Sequence, residues 1–148
     1  MTQPATAQAP TLNLVPAGDV GIVWPLIAAQ IDGVVARSNG IYTADALRGH
    51  FETGKFLLWL VWNDAVQAIG ATQFYHTDSG VKIFDILFVT GEHSLEWLHL
   101  MDEWEHHARA WGCDRIEGTM RKGWAKRLPD WKMTHVTLSK DLGHHGTL

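Results

Sequence analysis

The chain has 148 residues, of which 46% are apolar and 19% charged, and its formal net charge at pH 7 is -4. This length and composition predict one globular domain, and they exclude wholesale disorder, a collagen-like chain and a coiled-coil rod. No uninterrupted apolar run reaches the ~18 residues of a membrane helix, and the N-terminus lacks the pattern of a signal peptide. The single cysteine, Cys113, cannot form an internal disulfide, so we expect a protein of a reducing, cytosolic compartment.

The two ends of the chain differ in composition from its middle. Residues 1–13 are mainly Thr, Gln, Ala and Pro, with little to bury, and predict a flexible arm. Residues 143–148 predict a flexible tail. The folded domain is therefore expected over residues 14–142.

The first half of this domain predicts two helices followed by three strands. Apolar residues at three- and four-residue steps predict a helix from Asp19 to about Arg37, and Thr43 is a suitable N-cap for a short helix that ends at Gly54. The apolar segments 56–62, 65–77 and 81–89 are separated by Asn63-Asp64 and by Asp78-Ser79-Gly80. Turns this short predict that the three strands are antiparallel neighbours.

The second half predicts a long helix, a strand, a short helix and a last strand. The long helix should begin at Ser94 and end at Trp111, with Gly112 as its stop, and it carries a stripe of Trp97, Met101, Trp104, Ala108 and Trp111. The remaining elements are expected at residues 114–120, 122–131 and 132–142. The predicted fold class is α/β (α+β), with helices flanking a mixed, mostly antiparallel sheet in the order α-α-β-β-β-α-β-α-β.

This order, over roughly residues 14–142, resembles the GNAT (Gcn5-related N-acetyltransferase) fold. The C-terminal half also resembles small GNAT-like proteins encoded by tailed bacteriophages and prophages, through the segments WGCDRIE (111–117) and RKGWAKRLPDW (121–131). The second resemblance implies a protein of the bacterial host cytoplasm or of the phage particle.

Membership of the GNAT family implies acetyl-CoA binding where the fourth strand meets the central helix. Active members hold the pyrophosphate there with the backbone N–H groups of a Q/R-x-x-G-x-G/A loop. The matching stretch here keeps one glycine, lacks the leading Gln or Arg, and places the Glu92 carboxylate where it would repel a diphosphate. The pattern favours a degenerate loop without a cofactor; if acetyl-CoA does bind, the candidate contacts are Phe88, Val89, Thr90, Gly91 and Ser94.

Asp85 is the candidate catalytic residue, because it interrupts an otherwise apolar strand and its pKa would rise if it were desolvated. A carboxylate at this position is also compatible with a β-bulge, or with an ion pair to Lys82 or an arginine. Active members of the family often place a general-acid tyrosine on the late helix. The tyrosines here, Tyr42 and Tyr75, lie elsewhere.

The histidine, acidic and cysteine residues are not spaced in a pattern that predicts a metal site. Two E-x-x-H units, at Glu96 and Glu103, lie on one helix about 10 Å apart along its axis, so they cannot share an ion, and a solvated face is expected.

Cys113 follows a helix C-terminus, where the dipole disfavours a thiolate, and it is expected to be a small buried residue.

Charge is unevenly distributed along the chain. Residues 109–132 contain seven basic and three acidic residues, whereas the rest of the chain carries a net charge of -8. This asymmetry favours an acidic protein partner or head-to-tail self-association over nucleic acid, with no membrane involved. The candidate partner surface is Arg121, Lys122, Trp124, Lys126, Arg127 and Trp131.

Two functions follow from these patterns. The favoured hypothesis is a GNAT-fold, phage-type protein that acts without catalysis, as an interaction, virion-associated or assembly component. The alternative is an active acetyl-CoA-dependent N-acyltransferase. In either case the eight tryptophans predict an unusually tryptophan-rich core.

Overall fold

The computed structural model describes residues 10–90, 100–120 and 122–143. Over these residues the chain forms one five-stranded sheet in the order β1-β2-β3-β4-β5 and three α-helices. The first four strands are antiparallel neighbours, and the fifth runs parallel to the fourth. The predicted class, a single α+β domain with a mostly antiparallel sheet, is confirmed. The strands are β1 (Thr11–Val15), β2 (Leu57–Trp62), β3 (Val66–His76), β4 (Lys82–Val89) and β5 (Arg115–Gly118), and the helices are α1 (Val20–Arg37), α2 (Ala44–Glu52) and α3 (Leu100–Ala110).

The boundaries of the first two helices agree with the prediction. Helix α1 starts directly after Asp19 and ends at Arg37. The Thr43 hydroxyl accepts a hydrogen bond of 3.2 Å from the Ala46 N–H, so Thr43 caps α2 as expected. Glycine at position 54 has a φ of +78°, a left-handed conformation that ends the helix at little steric cost.

Helix α1 has an apolar character that extends beyond its buried side. The stretch Ala17–Arg37 is long and apolar enough, by length and hydropathy alone, to cross a membrane, although core helices of soluble domains meet the same test. Its inner side packs Ile27 and Ile31 into the core, while Ile22 and Leu26 are exposed. The expectation that no membrane is involved therefore stays a prediction.

The flexible arm predicted over residues 1–13 is wrong for residues 11–13, which belong to β1. Thr11 is opposite Trp62 and Val15 is opposite Leu58 in an antiparallel ladder. This pairing satisfies the backbone groups on one side of β2, which would otherwise form an open edge beside apolar side chains. Residues 1–9 of the predicted arm lie outside the described residues.

The C-terminal part of the predicted order also needs correction. Only Lys122–Lys126 of the predicted short helix is helical, and it forms a 3₁₀ turn. The Arg127 N–H continues this turn with a bond to the Trp124 carbonyl, and Pro129 then disfavours helical geometry in the residue before it. The strand predicted over residues 132–142 is wrong, because that segment is paired with no strand in the described part of the chain.

The long central helix is described only from Leu100 onwards, so its predicted start at Ser94 and the Trp97 position lie outside the described residues. It ends at Ala110, and Gly112, with a φ of +74°, follows as the predicted stop. Residues 144–148 of the predicted tail are likewise outside the described residues.

The sheet has a core on each face. Helices α1 and α2 cover one face with aliphatic side chains and Phe51. On the other face, Trp59 and Phe84 of the sheet pack with Trp104 of α3, and Trp111 stacks on Phe84 with ring centroids 6.2 Å apart. The predicted tryptophan-rich core is confirmed for this face.

Trp104 packs closely on β3 because position 70 has no side chain. A Cβ atom at Gly70 would lie 2.8 Å from Cη2 and 2.9 Å from Cζ2 of Trp104, which is 4% exposed. We expect Gly70→Ala to lower the free energy of unfolding by about 1–3 kcal/mol, measured by urea unfolding, because the ring must shift in a packed core. Gly49→Ala is the control: a Cβ there meets open space on helix α2, so it should be neutral or stabilising. Equal stabilities of the two variants would contradict the close contact.

Candidate functional site

Four polar side chains lie next to one another on three adjacent strands. The sheet register pairs Gln73 of β3 with Asp85 of β4, and Asp85 with Glu117 of β5. Tyr75 lies two residues after Gln73 and therefore on the same face of β3. We call Gln73, Tyr75, Asp85 and Glu117 the carboxylate cluster. Because the neighbouring Phe84 packs against α3, alternation along β4 directs Asp85 to the opposite face, which α1 and α2 partly cover.

Hydrogen bonds organise the cluster. The Gln73 Nε2 group donates to Asp85 Oδ2 at 3.0 Å, and the Tyr75 hydroxyl donates to Glu117 Oε1. Adjacent strands are about 4.8 Å apart, so the two carboxyl groups are close neighbours. The cluster thus combines two carboxylates, an amide and a phenol in one small area.

Asp85 neither forms the ion pair nor occupies the β-bulge that its sequence position allowed. The Lys82 ammonium donates to the Trp111 carbonyl at 2.6 Å, and no ion pair of Asp85 occurs within the described ranges. A β-bulge is present in β4, since the register passes from Ala71–Phe88 to Thr72–Ile86, but its additional residue is Leu87. Asp85 itself is a regularly paired strand residue.

The surroundings raise the pKa values of two members of the cluster. Burial raises the pKa of Asp85, the Glu117 charge adds to this rise, and the Gln73 hydrogen bond opposes it. The hydrogen bond to Glu117, with smaller effects of burial and of the charges on Glu117 and Asp85, raises the pKa of Tyr75 to about 12, against an opposing effect of Arg115. Asp85 is therefore a better proton acceptor than an ordinary carboxylate, and Tyr75 keeps its proton at neutral pH.

Tyr42, from the connection between α1 and α2, lies near the cluster. Burial and the charge on Asp85 both raise the pKa of Tyr42. Its ring meets the Phe88 ring edge-on, with centroids 5.6 Å apart. No local sequence pattern marks Tyr42 or Tyr75 as a site residue, because neither tyrosine lies on the late helix that supplies the general acid in active members of the family.

Beside the cluster, β4 extends past the last residue of β5. Pairing between β4 and β5 ends at Ile86 and Gly118, whereas β4 continues to Val89. Leu87–Val89 therefore have no partner on the β5 side within the described residues. A strand that extends past its parallel neighbour leaves backbone groups free to bind an elongated ligand.

The candidate cofactor contacts are only partly described. Thr90 is tied to β3, since its N–H donates to the Ile69 carbonyl at 2.9 Å and its hydroxyl accepts from the Ile69 N–H at 3.3 Å. Phe88 and Val89 are half-buried at the end of β4. Gly91, Glu92 and Ser94 lie outside the described residues, so the degenerate phosphate loop stays a prediction.

A groove of about 1150 Å³ opens beside the cluster. Tyr75, Asp85 and Glu117 line one part of it, and Arg109 of α3 lines another. Residues 130–137, which include part of the C-terminal segment, also line it. The groove therefore gives the carboxylate cluster access to ligands.

The candidate partner surface divides into two parts. Trp124 and Trp131 are half-buried and pack against the cluster around Trp104, and Trp131 Nε1 donates to Glu105 Oε1 at 3.1 Å. Lys126 and Arg127 are exposed. Arg121 and the side chain of Lys122 lie outside the described residues, and the use of this surface by a partner stays a prediction.

Cys113 is half-buried and packs against the Trp104 side of the sheet. Burial raises the pKa of its thiol, which disfavours the reactive thiolate. In the part of the chain that the structure describes, no three His, Cys, Asp or Glu side chains come together as a possible metal site.

Comparison with solved structures identifies the fold. The chain is similar to a probable acetyltransferase (TM-score 0.61, 11% identity, covering 88% of this chain and 99% of that one). It is also similar to an aminoglycoside acetyltransferase from an uncultured soil metagenomic sample, in complex with sisomicin (0.65, 10%, 90% and 97%). A third similar structure is a predicted acetyltransferase with acetyl-CoA from Clostridium acetobutylicum (0.58, 12%, 93% and 99%).

No protein-family model and no curated protein matches the chain. At these low identities the structural likeness establishes the fold alone. The protein has a GNAT-like fold, as the order of its elements predicted, while the phage-type resemblance stays a prediction.

Glu117 is expected to control the acidity of its neighbours. Replacing it with glutamine removes a negative charge, so the pKa values of Asp85 and Tyr75 should both fall towards their ordinary values. An NMR titration of the Asp85 side-chain carbon should show its midpoint moving to lower pH. Asp102→Asn, at an exposed position of α3, is the control and should leave the Asp85 midpoint unchanged.

The raised pKa of Asp85 also makes the stability of the folded protein depend on pH. The folded state binds the proton more tightly than the unfolded state, so ionisation of Asp85 makes the protein less stable as pH rises from the ordinary pKa through the folded one. Asp85→Asn should remove this decline. An unchanged pH dependence of unfolding in Asp85→Asn would contradict the assigned burial effect.

Proposed function

We propose that this protein is an acyl-CoA-dependent N-acyltransferase that activates its acceptor amine at the carboxylate cluster. The observation that carries this proposal is the pairing of a desolvated carboxylate, Asp85, with a proton-bearing phenol, Tyr75, on adjacent strands beside an open groove. A carboxylate whose pKa is raised by its surroundings, beside a phenol that can relay a proton, is typical of an acid–base site. The similarity of the fold to that of several acetyltransferases agrees with this chemistry.

The residues of the cluster can perform the proton transfers of acyl transfer. Bound acyl-CoA would supply the thioester carbonyl and a thiolate leaving group. Asp85 takes the proton that the amine loses as its nitrogen bonds to the carbonyl carbon, directly or through a water. When the carbon–sulfur bond breaks, the Tyr75 hydroxyl relays a proton to the sulfur: it gives its own proton and takes the one that Asp85 holds, so no phenolate accumulates and both residues return to their starting states. Glu117 keeps the Tyr75 hydroxyl in place and raises the basicity of Asp85.

The same cluster favours a cationic acceptor. Asp85 and Glu117 together present negative charge to an ammonium group, and the Tyr42 and Phe88 rings nearby offer aromatic faces and edges. Amines are protonated at neutral pH, so the acceptor binds as a cation and loses one proton, through Asp85 to the solvent in the groove, before its nitrogen bonds to the carbonyl carbon. An acidic acceptor site lined by aromatic rings can bind the ammonium group and also accept its proton.

The part of β4 that extends past β5 provides a place for the thioester arm. Backbone groups of Leu87–Val89 have no strand partner on the β5 side within the described residues, so they can hydrogen-bond an extended, amide-bearing arm that reaches Asp85. The Glu92 charge predicted at the start of the central helix would weaken diphosphate binding, and weak affinity for acetyl-CoA is the expected consequence.

The test is an assay of purified full-length protein with acetyl-CoA and a panel of amines that contains an aminoglycoside, a polyamine and a lysine peptide. We expect amine-dependent release of free thiol and an acetylated product detected by mass spectrometry. The absence of turnover with every amine, together with no acetyl-CoA adduct in native mass spectrometry, would overturn the proposal.

A second candidate function is the non-catalytic, phage-type interaction or virion-associated component. The observation that favours it is the exposed apolar C-terminal segment, which has the character of a binding surface rather than of a core element. Native mass spectrometry of the same preparation separates the two functions. A defined assembly without an acetyl-CoA adduct would support this candidate.

A further inference from the structure

Helix α1 carries two apolar stripes, and only one of them is buried in the core. The buried stripe is Val20, Ile27, Ile31 and Val34. The second stripe, which we call the outer stripe, follows steps of four, three and four residues and consists of Ile22, Leu26, Ala29 and Gly33. Ile22 is 73% exposed and Leu26 is 60% exposed. A helix that is apolar on both sides is typical of one that is covered on both sides.

Two opposite charges lie at the ends of the outer stripe. Asp19 precedes Ile22 by three residues and Arg37 follows Gly33 by four, so both charges lie on the same side of α1 as the stripe. Asp19 makes no side-chain hydrogen bond to the helix N-terminus, and neither charge belongs to an ion pair within the described ranges. The Arg37 guanidinium folds back along the helix, and its Nη2 atom lies 3.1 Å from where a Cβ atom at Gly33 would stand.

The outer stripe is complementary in shape to a second copy of itself. When two copies of α1 pack antiparallel about a twofold axis at Leu26, residues at equal distances before and after Leu26 face each other. Ile22 of each copy then lies at the level of Ala29 in the other, so a large side chain meets a small one. Such alternation lets two helices approach to the usual 8–10 Å.

The same geometry pairs the charges at the ends of the stripe. Asp19 lies seven residues before Leu26, and Gly33 lies seven residues after it. The twofold axis therefore brings Asp19 of each copy to the level of Gly33 in the other, where the Arg37 guanidinium lies. Two equivalent ion pairs result, one at each end, and this charge complementarity selects a second copy as the occupant.

A lipid surface fits this side of α1 less well. Helices that lie in a membrane interface carry lysine or arginine along their polar side, and α1 has no basic residue between Asp19 and Arg37. Asp32 is exposed on α1, and the net charge of the chain is -4, so anionic headgroups would repel the protein.

We infer that α1 is a self-association surface, at which two copies of the chain pack their outer stripes antiparallel, with Asp19 of each copy paired to Arg37 of the other. One helix face is small beside the roughly 800 Å² that each partner buries in a standard interface, so the dimer dissociates on dilution. This inference does not depend on the reaction proposed for the carboxylate cluster.

The first test is sedimentation equilibrium of the full-length protein from low micromolar to near-millimolar concentration. We expect a monomer–dimer equilibrium, and we expect Leu26→Asp to remain monomeric with an unchanged circular dichroism spectrum. Ala28→Asp is the matched control, since Ala28 is exposed on the same helix but lies off the outer stripe, and it should dimerise like the wild type. A wild type that is monomeric throughout, whether or not it binds phosphatidylcholine vesicles, or a Leu26→Asp variant that dimerises, would overturn the inference.

The second test exchanges the two charges. Asp19→Arg and Arg37→Asp, made singly, should each raise the dissociation constant of the dimer about tenfold or more, because each substitution acts twice in a twofold dimer and places like charges together. The double variant restores opposite charges at both ends and should dimerise nearly as tightly as the wild type. A double variant that dimerises no better than the single variants would contradict the antiparallel pairing.

Discussion

Replacing Asp85 with asparagine is expected to lower kcat for amine acetylation by about 10²–10⁴-fold, the usual contribution of a general base. The variant keeps the size and the hydrogen-bonding capacity of the side chain, so the Gln73 contact and the fold should survive. Binding of acetyl-CoA, measured by calorimetry, should change little, because Asp85 lies on the acceptor side of the proposed site. The loss should therefore appear in kcat.

The control for this variant is Asp78→Asn, which changes an exposed carboxylate in the turn between β3 and β4. It should retain wild-type kcat. The pH profile provides a second check: kcat/KM should rise with pH as Asp85 loses its proton, with a midpoint above that of an ordinary carboxylate. An Asp85→Asn enzyme with wild-type kcat and an unchanged pH profile would remove Asp85 from the mechanism.

Trp59→Ala is expected to cause the largest loss of stability, about 3–5 kcal/mol, measured by urea unfolding. Trp59 is 1% exposed and its ring lies against Trp104, with centroids 5.9 Å apart, and against Trp111, at 6.1 Å. Its Nε1 group donates to the Thr72 hydroxyl at 2.9 Å. The variant loses both the ring contacts and this buried hydrogen bond, out of a total stability of about 5–15 kcal/mol.

Trp62→Ala is the matched control, because Trp62 lies at the end of the same strand but is 42% exposed. It should be much less destabilising than Trp59→Ala. Trp59→Phe separates packing from hydrogen bonding: it keeps a ring, and it leaves the Thr72 hydroxyl unpaired at a cost of about 1–3 kcal/mol. Adding Thr72→Val to Trp59→Phe should recover part of that loss, because the unpaired hydroxyl is then removed. If the effects of the two substitutions on the free energy of unfolding were simply additive, the Trp59–Thr72 hydrogen bond would contribute no coupling energy.

Local signals in the sequence were sufficient to predict α1, α2 and the three strands β2, β3 and β4. The Thr43 cap, the Asn63-Asp64 turn and the three- and four-residue periodicity of α1 each depend on residues close together in the chain, and each prediction agrees with the structure. Strand pairing does not follow from such local signals, because any extended segment can form the hydrogen bonds that the backbone groups of β2 require. The assignment of residues 11–13 to β1 therefore depended on the fold, and so did the absence of a strand partner for residues 132–142 within the described part of the chain.

The sequence by itself determined the run of elements from α1 to β5, the tryptophan-rich core and the position of Asp85 as a charge in an apolar strand. It could do so because periodicity, turn residues and one charge in an apolar strand are local patterns. Only the tertiary structure decided which groups surround Asp85. Gln73, Tyr75 and Glu117 are distant in the chain and meet through the register of three strands, together with the bulge at Leu87. The proton affinities of Asp85 and Tyr75 arise from that meeting, because desolvation and neighbouring charges act over a few ångströms in space.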